Sequence, residues 1–329
     1  MLIDFLIIFA GVAGILLLAE VVIRNAVELA GYLGLSGSFI GLTVLSVGTS
    51  VPEIMSHVVG SVEIVQHPES MNAISGLLLG TNIGSDIFQQ NFILPFVGLV
   101  GTVMVVRAQL YDIMGGLLGA AILAWLFCLD GQISHLEGAV LLLAYGGYLL
   151  FLMKRDRRLA ALPKNESADH HVALLSAAII IVSFAIMAVV TEYVVVASTE
   201  LVAILPISAS FFGVVFLGVA TSLPEFTTAL VSMHKGNKDI SVGILLGSNI
   251  TNPLFGIGLG AIISTYTVPD VIVLYDLPVN IATAILLYVF LLRSERLTKK
   301  GATILLLSFF IYLYARWLWF PADFSELVS

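Results

Sequence analysis

The sequence predicts an all-α membrane protein, with ten transmembrane helices arranged as two inverted five-helix repeats. Three observations carry that expectation. Of 329 residues, 59% are hydrophobic and 11% charged, with a mean hydropathy of +1.06, whereas soluble domains carry roughly 25% charged residues. The apolar residues fall into ten runs, each close to the about 20 residues that a span requires. Short polar motifs recur once in each half of the chain at nearly constant spacing.

Taken in order, the runs cover residues 2–30, 37–62, 73–97, 105–128, 134–153, 172–203, 207–233, 240–263, 271–292 and 302–320. The first and sixth exceed what a bilayer needs, so tilt is expected there. The N-terminal run lacks a basic n-region and a small-residue cleavage site, which marks it as the first membrane helix and not a leader. One long polar break, Lys154 to His171, divides the chain into a first repeat (1–153), a cytoplasmic linker (154–171) and a second repeat (172–329). The sole cysteine, Cys128, excludes intrachain disulfides and a cysteine zinc site. Trp125, Trp317 and Trp319 suit packing and interfacial anchoring.

Orientation follows from Lys and Arg. With the linker in the cytoplasm, Lys154, Arg155, Arg157, Arg158 and Lys164 lie inside. Arg24, Arg107, Lys235, Lys238, Arg293, Arg296, Lys299 and Lys300 then fall at inner ends too. Only Arg316, near the outer end of the last span, departs from the pattern, and Glu63, Glu69, Asp130, Asp270 and Asp323 take the outer loops. Both termini are therefore expected outside, in an integral protein of a prokaryotic cell membrane. The positive-inside bias accounts for the basic loop without nucleic acid.

The halves match in detail. Gly48-Thr49-Ser50-Val51-Pro52-Glu53 returns as Ala220-Thr221-Ser222-Leu223-Pro224-Glu225. The two glutamates are separated by 225 − 53 = 172 positions, and Glu20 and Glu192 by the same 192 − 20 = 172. Gly80-Thr81-Asn82-Ile83 likewise returns as Gly247-Ser248-Asn249-Ile250. Five spans per half place the second copy upside down, an arrangement shared by many secondary transporters.

Within a helix, Pro52 and Pro224 would deprive the carbonyls of Gly48 and Ala220 of their donors. A freed carbonyl in hydrocarbon has to line a cavity or bind something. Thr49 with Glu53, and Thr221 with Glu225, are spaced i, i+4 and would share a helix face. Carboxylate, hydroxyl and carbonyl oxygens are hard ligands, suited to Ca²⁺ or Na⁺. No basic residue lies mid-span to pair with either glutamate, and an ionised group there costs at least about 2.5–3.5 kcal/mol. Thr81 with Ser85, and Ser248 with Asn252, supply a second polar layer at i, i+4. Asp86 stands at or beside that layer, i, i+4 from Asn82, and Gln89 continues its face. Helix packing by hydrogen bonds is an equally good account of Asn82 and Asn249. His57 suits a structural role better than a proton relay, and Glu20 and Glu192 suit gating or capping as well as transport.

The paired T-S-x-P-E and G-[ST]-N-I motifs resemble the two α-repeats of the cation/calcium exchanger superfamily, in its prokaryotic sodium/calcium exchanger branch. The resemblance covers essentially the whole chain. It implies alternating access to one central site, with the long first and sixth spans sliding against an eight-helix core. By matching positions it implies Thr49, Ser50, Glu53, Thr81, Ser85, Thr221, Ser222, Glu225, Ser248 and Asn252 as cation-site residues, with backbone ligands at Gly48 and Ala220. Some exchangers carry an acid at the position of Asn252 and Asn or Asp at that of Ser85; here Asp86 follows one residue on, about 100° round a helix.

The expected function is secondary active antiport of Na⁺ against Ca²⁺ by a single chain in lipid, with no cofactor beyond the transported ions. Two carboxylates are neutralised equally by one Ca²⁺ or two Na⁺, and an empty doubly charged site resists reorientation in low dielectric. The alternative is H⁺-coupled exchange of Ca²⁺ or another cation, since buried carboxyl groups can take protons near neutrality. A channel would favour a symmetric multi-chain pore. An enzyme is disfavoured because neither Ser50 nor Ser222 has a His/Asp partner in sequence to act as base.

Overall fold

The computed structural model describes residues 2–32, 41–101, 103–105, 107–159, 170–205, 207–234 and 238–320. Within them the chain is helical almost throughout. The α-helices are α1 (Leu2–Tyr32), α2 (Ser46–Thr49), α3 (Val51–Gln66), α4 (Met71–Phe88), α5 (Leu94–Val100), α6 (Arg107–Cys128), α7 (His135–Leu159) and α8 (His170–Ile204). They continue as α9 (Ala209–Phe212), α10 (Gly218–Thr221), α11 (Leu223–His234), α12 (Lys238–Thr251), α13 (Gly258–Ile263), α14 (Leu277–Ser294) and α15 (Lys299–Trp319). Among the described residues, eight helices are long and apolar enough to cross a membrane. The stretches 41–66 and 71–100 fall outside that count. They carry Glu53 and His57 in one case and Asn82, Asp86 and Gln89–Asn91 in the other, so the polar residues that lower their hydropathy are the ones buried at the centre.

The linker expected over 154–171 is partly helical. Helix α7 runs on to Leu159 and α8 starts at His170, while 160–169, with Lys164, lie outside the described residues, as do 37–40, Lys235 and Asp323. An apolar run marks where a helix leaves hydrocarbon and not where it ends, and Lys and Arg sustain a helix well.

Several helices contain a wider, π-type turn beside a proline. Gln89–Ile93 precedes Pro95, Ile272–Asp276 precedes Pro278, and Asn252–Ile257 contains Pro253. A proline offers no N–H and crowds the carbonyl four residues back, and widening the turn relieves both. Two further wide turns, Gly41–Leu45 and Gly213–Leu217, lead into α2 and α10.

Two apolar clusters divide the molecule. The larger joins α4, α12, α14 and α15 through residues such as Leu79, Ile83, Leu246, Leu287 and Leu305. The smaller belongs to α1 and α8, which pack along one another through Ile8, Ile15, Val22, Met187, Val194 and Leu201. It meets the rest of the protein at Val51, Leu77, Phe212 and Leu217.

Two short strand-like pairings join the two halves of the sequence. Strand β1 (Gln132–Ile133) pairs antiparallel with β2 (Tyr266–Thr267). Near the other helix ends, Met104 bridges Arg296, with Val105 N–H donating to the Glu295 carbonyl (3.0 Å) and Leu297 N–H to that of Val103 (2.9 Å).

Arg316, the exception to the charge pattern, is fully buried. It pairs with Asp276 at 3.4 Å, donates to Ser210 Oγ at 3.2 Å and lies 5.6 Å from the Phe211 ring centre. Tyr312 donates to the same aspartate at 2.8 Å. Its charge is thus answered inside the fold, and it says nothing about which side of a membrane it faces.

Candidate functional site

Each signature segment breaks at its serine. Helix α2 stops at Thr49, Ser50 takes a non-helical turn, and α3 restarts at Val51; α10 stops at Thr221 and α11 restarts at Leu223 after Ser222. Pro52 and Pro224 therefore sit second in a new helix, where no N–H is needed, and they do not interrupt a continuous one. Gly48, buried, and Ala220, part-buried, lie in the last turn before each break. The N–H of Ser222 is shared between the carbonyls of Gly218 and Ala220.

The break re-aims the hydroxyls. The i, i+4 spacing of Thr49 and Glu53 runs across the one-residue break at Ser50, with Ser50 N–H bonding the Ser46 carbonyl and Ile54 N–H that of Ser50. Ser50 Oγ donates to Glu225 at 3.5 Å, whereas the hydroxyls of Thr49 and Thr221 donate to the carbonyls of Ser46 and Gly218 at 3.2 and 3.5 Å, with Thr49 near Glu225 and Thr221 near Glu53. The first half thus supplies a hydroxyl to the carboxylate of the second, Ser50 to Glu225. Glu53 and Glu225 are buried and within electrostatic reach of one another.

Helix α4 fills the space beside them. Ser85 Oγ donates to Glu53 Oε1 at 2.9 Å and lies 2.8 Å from Ser222 Oγ. Gln89 Nε2 donates to Ser85 Oγ at 2.9 Å, and Ser248 Oγ donates to Gln89 Oε1. This contact is possible because α4 meets the second half backbone to backbone. A Cβ on Gly218 would fall 2.8 Å from Ser85 N, and one on Gly84 would fall 2.5 Å from Val214 Cα.

The remaining expected residues form a flank. Asp86, buried, accepts from Asn252 Nδ2 at 2.8 Å and lies within electrostatic reach of Glu53. Asn82 Nδ2 donates to the Asn252 carbonyl at 3.0 Å and meets His57 Nε2 at 3.1 Å. His57 Nδ1 contacts Tyr266 OH at 3.0 Å, which reaches Ser61 Oγ at 2.6 Å. His57 is thus a satisfied core residue. Thr81 donates to the Leu77 carbonyl at 2.7 Å and, with Pro52 and Thr221, lines a small, mostly apolar cavity whose α1 and α8 walls include Ile15 and Val194. Glu20 and Glu192 are exposed on those two long helices, Glu20 paired with Arg24.

Within this cluster, five of the buried side-chain oxygens have no hydrogen-bond partner: Glu53 Oε2, Glu225 Oε2, and the Oδ1 atoms of Asn82, Asn249 and Asn252. Buried polar atoms are paired in the great majority of cases. Here the orphans are all acceptors, and a cation is what acceptors without donors suit. No cluster of three His, Cys, Asp or Glu side chains spaced to hold a metal occurs among the described residues, so hydroxyl and amide oxygens carry part of any coordination. Sequence reasoning saw Gln89 only as continuing a face, and it missed Tyr266, Ser61 and Asp276. The i, i+4 step from Ser85 to Gln89 was the available signal.

The family model described as sodium/calcium exchanger protein matches residues 3–154 and 175–318. The chain is 30% identical over 299 residues to the inner membrane protein YrbG of Escherichia coli K12, covering 87% of this chain and 88% of that protein. It is 23% identical to the sodium/calcium exchanger MaX1 of Methanosarcina acetivorans, covering 94% and 97%. A structure of the sodium-calcium exchanger NCX_Mj soaked with 10 mM Na⁺ superposes with a TM-score of 0.67 at 22% identity, over 95% of this chain and 99% of that one.

Proposed function

The chain belongs to the sodium/calcium exchanger protein family, and on that premise we propose that it is a secondary active antiporter exchanging Ca²⁺ for Na⁺ by alternating access. The transported ions are the only bound groups the reading requires. Glu53 and Glu225 are the charged ligands, supported by the oxygens of Thr49, Ser50, Thr221, Ser222, Thr81, Ser85, Ser248 and Asn252, the carbonyls of Gly48 and Ala220, and Asp86. The observation that carries this is the interlock: two buried carboxylates, Glu225 accepting from Ser50 of the other half and Glu53 accepting from Ser85, which touches Ser222 of the other half, each with one oxygen unpartnered. A cation bound there joins both halves at once. Without it, two like charges face each other away from water, which opposes reorientation of an empty site.

The finer architecture belongs to the same proposal: ten spans, two inverted repeats meeting at the 154–171 segment, both termini outside a prokaryotic cell membrane, and one chain sufficient for transport. The paired breaks at Ser50 and Ser222, and the paired wide turns before them, support the repeats. The cavity under α1 and α8 is the natural approach for ions, since it ends at Thr81 and Thr221.

The test is ⁴⁵Ca²⁺ uptake into proteoliposomes driven by an imposed Na⁺ gradient. Wild type is expected to concentrate Ca²⁺, and Glu53→Gln and Glu225→Gln to lose that uptake. Undiminished uptake in both variants would remove these residues from the site. Uptake driven by a pH gradient in Na⁺-free buffer would replace Na⁺ with H⁺ as the coupling ion.

A further inference from the structure

We infer that Gln89 is a positioning residue that decides which serine oxygen the cation meets, and so sets the preference between Ca²⁺ and Na⁺; this rests on the antiport reading above. Gln89 is fully buried and its amide spans the two halves, from Ser85 to Ser248. The direction of that amide is forced. A carboxylate only accepts, so the single Ser85 proton goes to Glu53, 2.9 Å away. The atom of Gln89 facing Ser85 must then donate, which places Nε2 there and Oε1 toward Ser248.

The consequence for the two serines is opposite. Ser85 Oγ donates to Glu53 and accepts from Gln89, so one of its two lone pairs is already taken, while Ser222 Oγ, 2.8 Å away, donates to the Gly218 carbonyl at 2.6 Å. Ser248 is the reverse case. Its proton points to Gln89 Oε1, leaving its oxygen lone pairs open to a cation. The backbone carbonyls of Ile244 and Leu245 lie within 3.0 and 3.3 Å of Ser248 Oγ, but they too are acceptors and do not occupy those lone pairs. Gln89 therefore takes a lone pair of Ser85 and none of Ser248, which leaves Ser248 the more open of the two oxygens. A π-type turn starts at Gln89, directly after α4.

Two variants separate this role from packing. Gln89→Met keeps length and removes both polar atoms. Gln89→Glu keeps shape, cannot donate to Ser85, and adds a charge beside Glu53. Binding is read as the thermal shift of purified protein across Ca²⁺ and Na⁺ titrations, with ⁴⁵Ca²⁺ flux in parallel. The ratio of Ca²⁺ to Na⁺ half-saturation is expected to move about tenfold in each, toward Ca²⁺ in Gln89→Glu. A role in packing alone lowers the ion-free Tm and leaves the ratio within about twofold of wild type, and that result in both variants overturns the inference. Absence of any ion-dependent shift in wild type overturns the antiport reading instead, so the two failures are distinct.

Discussion

Replacing Arg316 with methionine tests how the fold tolerates its deepest cation. The guanidinium and the Asp276 carboxylate are both fully buried and 3.4 Å apart. At an effective dielectric of about 20, their attraction is about 332/(20 × 3.4), near 5 kcal/mol. Much of that offsets desolvation, so removing both charges is far milder than removing one. Truncating one partner of a buried pair costs about 3–5 kcal/mol, because the other charge stays behind. Arg316→Met is therefore expected to lower stability by about that amount, and Arg316→Met with Asp276→Asn to recover more than half of the loss. In the double variant Tyr312 keeps an acceptor at position 276. The assay is thermal unfolding in detergent, with unfolding rates at fixed temperature, for the four members of the cycle. Additive losses, or a single-variant loss below about 0.5 kcal/mol, would refute the reasoning.

Two other outcomes follow from the site. Gly218→Ala places a Cβ 2.8 Å from Ser85 N and 2.9 Å from the Thr81 carbonyl, backbone atoms that cannot rotate away. It is expected to cost about 1–3 kcal/mol and to weaken apparent Ca²⁺ affinity, whereas Gly119→Ala, which meets nothing within 4 Å, is expected to leave flux unchanged and unfolding no easier. Equal effects would show that the close approach is unimportant. Asp86→Asn is expected to lower by one the number of Na⁺ exchanged per Ca²⁺, measured as the Na⁺ gradient at which net ⁴⁵Ca²⁺ flux reverses. An unchanged reversal point would confine Asp86 to holding Asn252.

Much of the site was legible in the sequence because its signals are local. Two carboxylates in apolar runs, each beside a proline, are costly enough to stand out, and their recurrence pairs them. The structure places them together, with Ser50, Ser85 and Ser222 around them. What local spacing misjudged was the break itself. Helical spacing ran straight through Ser50, where α2 ends and α3 begins, and Thr49 turns its hydroxyl to the Ser46 carbonyl. The links that depend on distant partners were illegible for the same kind of reason. Nothing near Arg316 in sequence points to Asp276, and nothing near His57 points to Tyr266. The wide turns were half legible: prolines mark where a ladder bond is lost, but whether the helix kinks, widens or stops depends on what packs against it. Hydropathy likewise marked the polar segment 154–171 without showing that α7 runs on to Leu159 and α8 starts at His170, since it reports the solvent and not the backbone.

The two cross-half strand pairings, 132–133 with 266–267 and 103–105 with 295–297, belong to the part of the protein that holds the carboxylates; neither includes α1 or α8. Directional bonds fix register, because sliding by one residue breaks them all. Greasy contacts do not: methyl groups that leave one neighbour gain another, and the buried area scarcely changes. The protein is thus assembled from two mechanical materials. One is riveted and keeps the ligand oxygens in place. The other is a lubricated bearing whose Ile8, Ile15, Val194 and Leu201 meet Val51, Leu77, Phe212 and Leu217 without a strand ladder. On the proposed antiport, motion along this seam would leave the ligand geometry intact, and the ion would change the side it faces without being released midway.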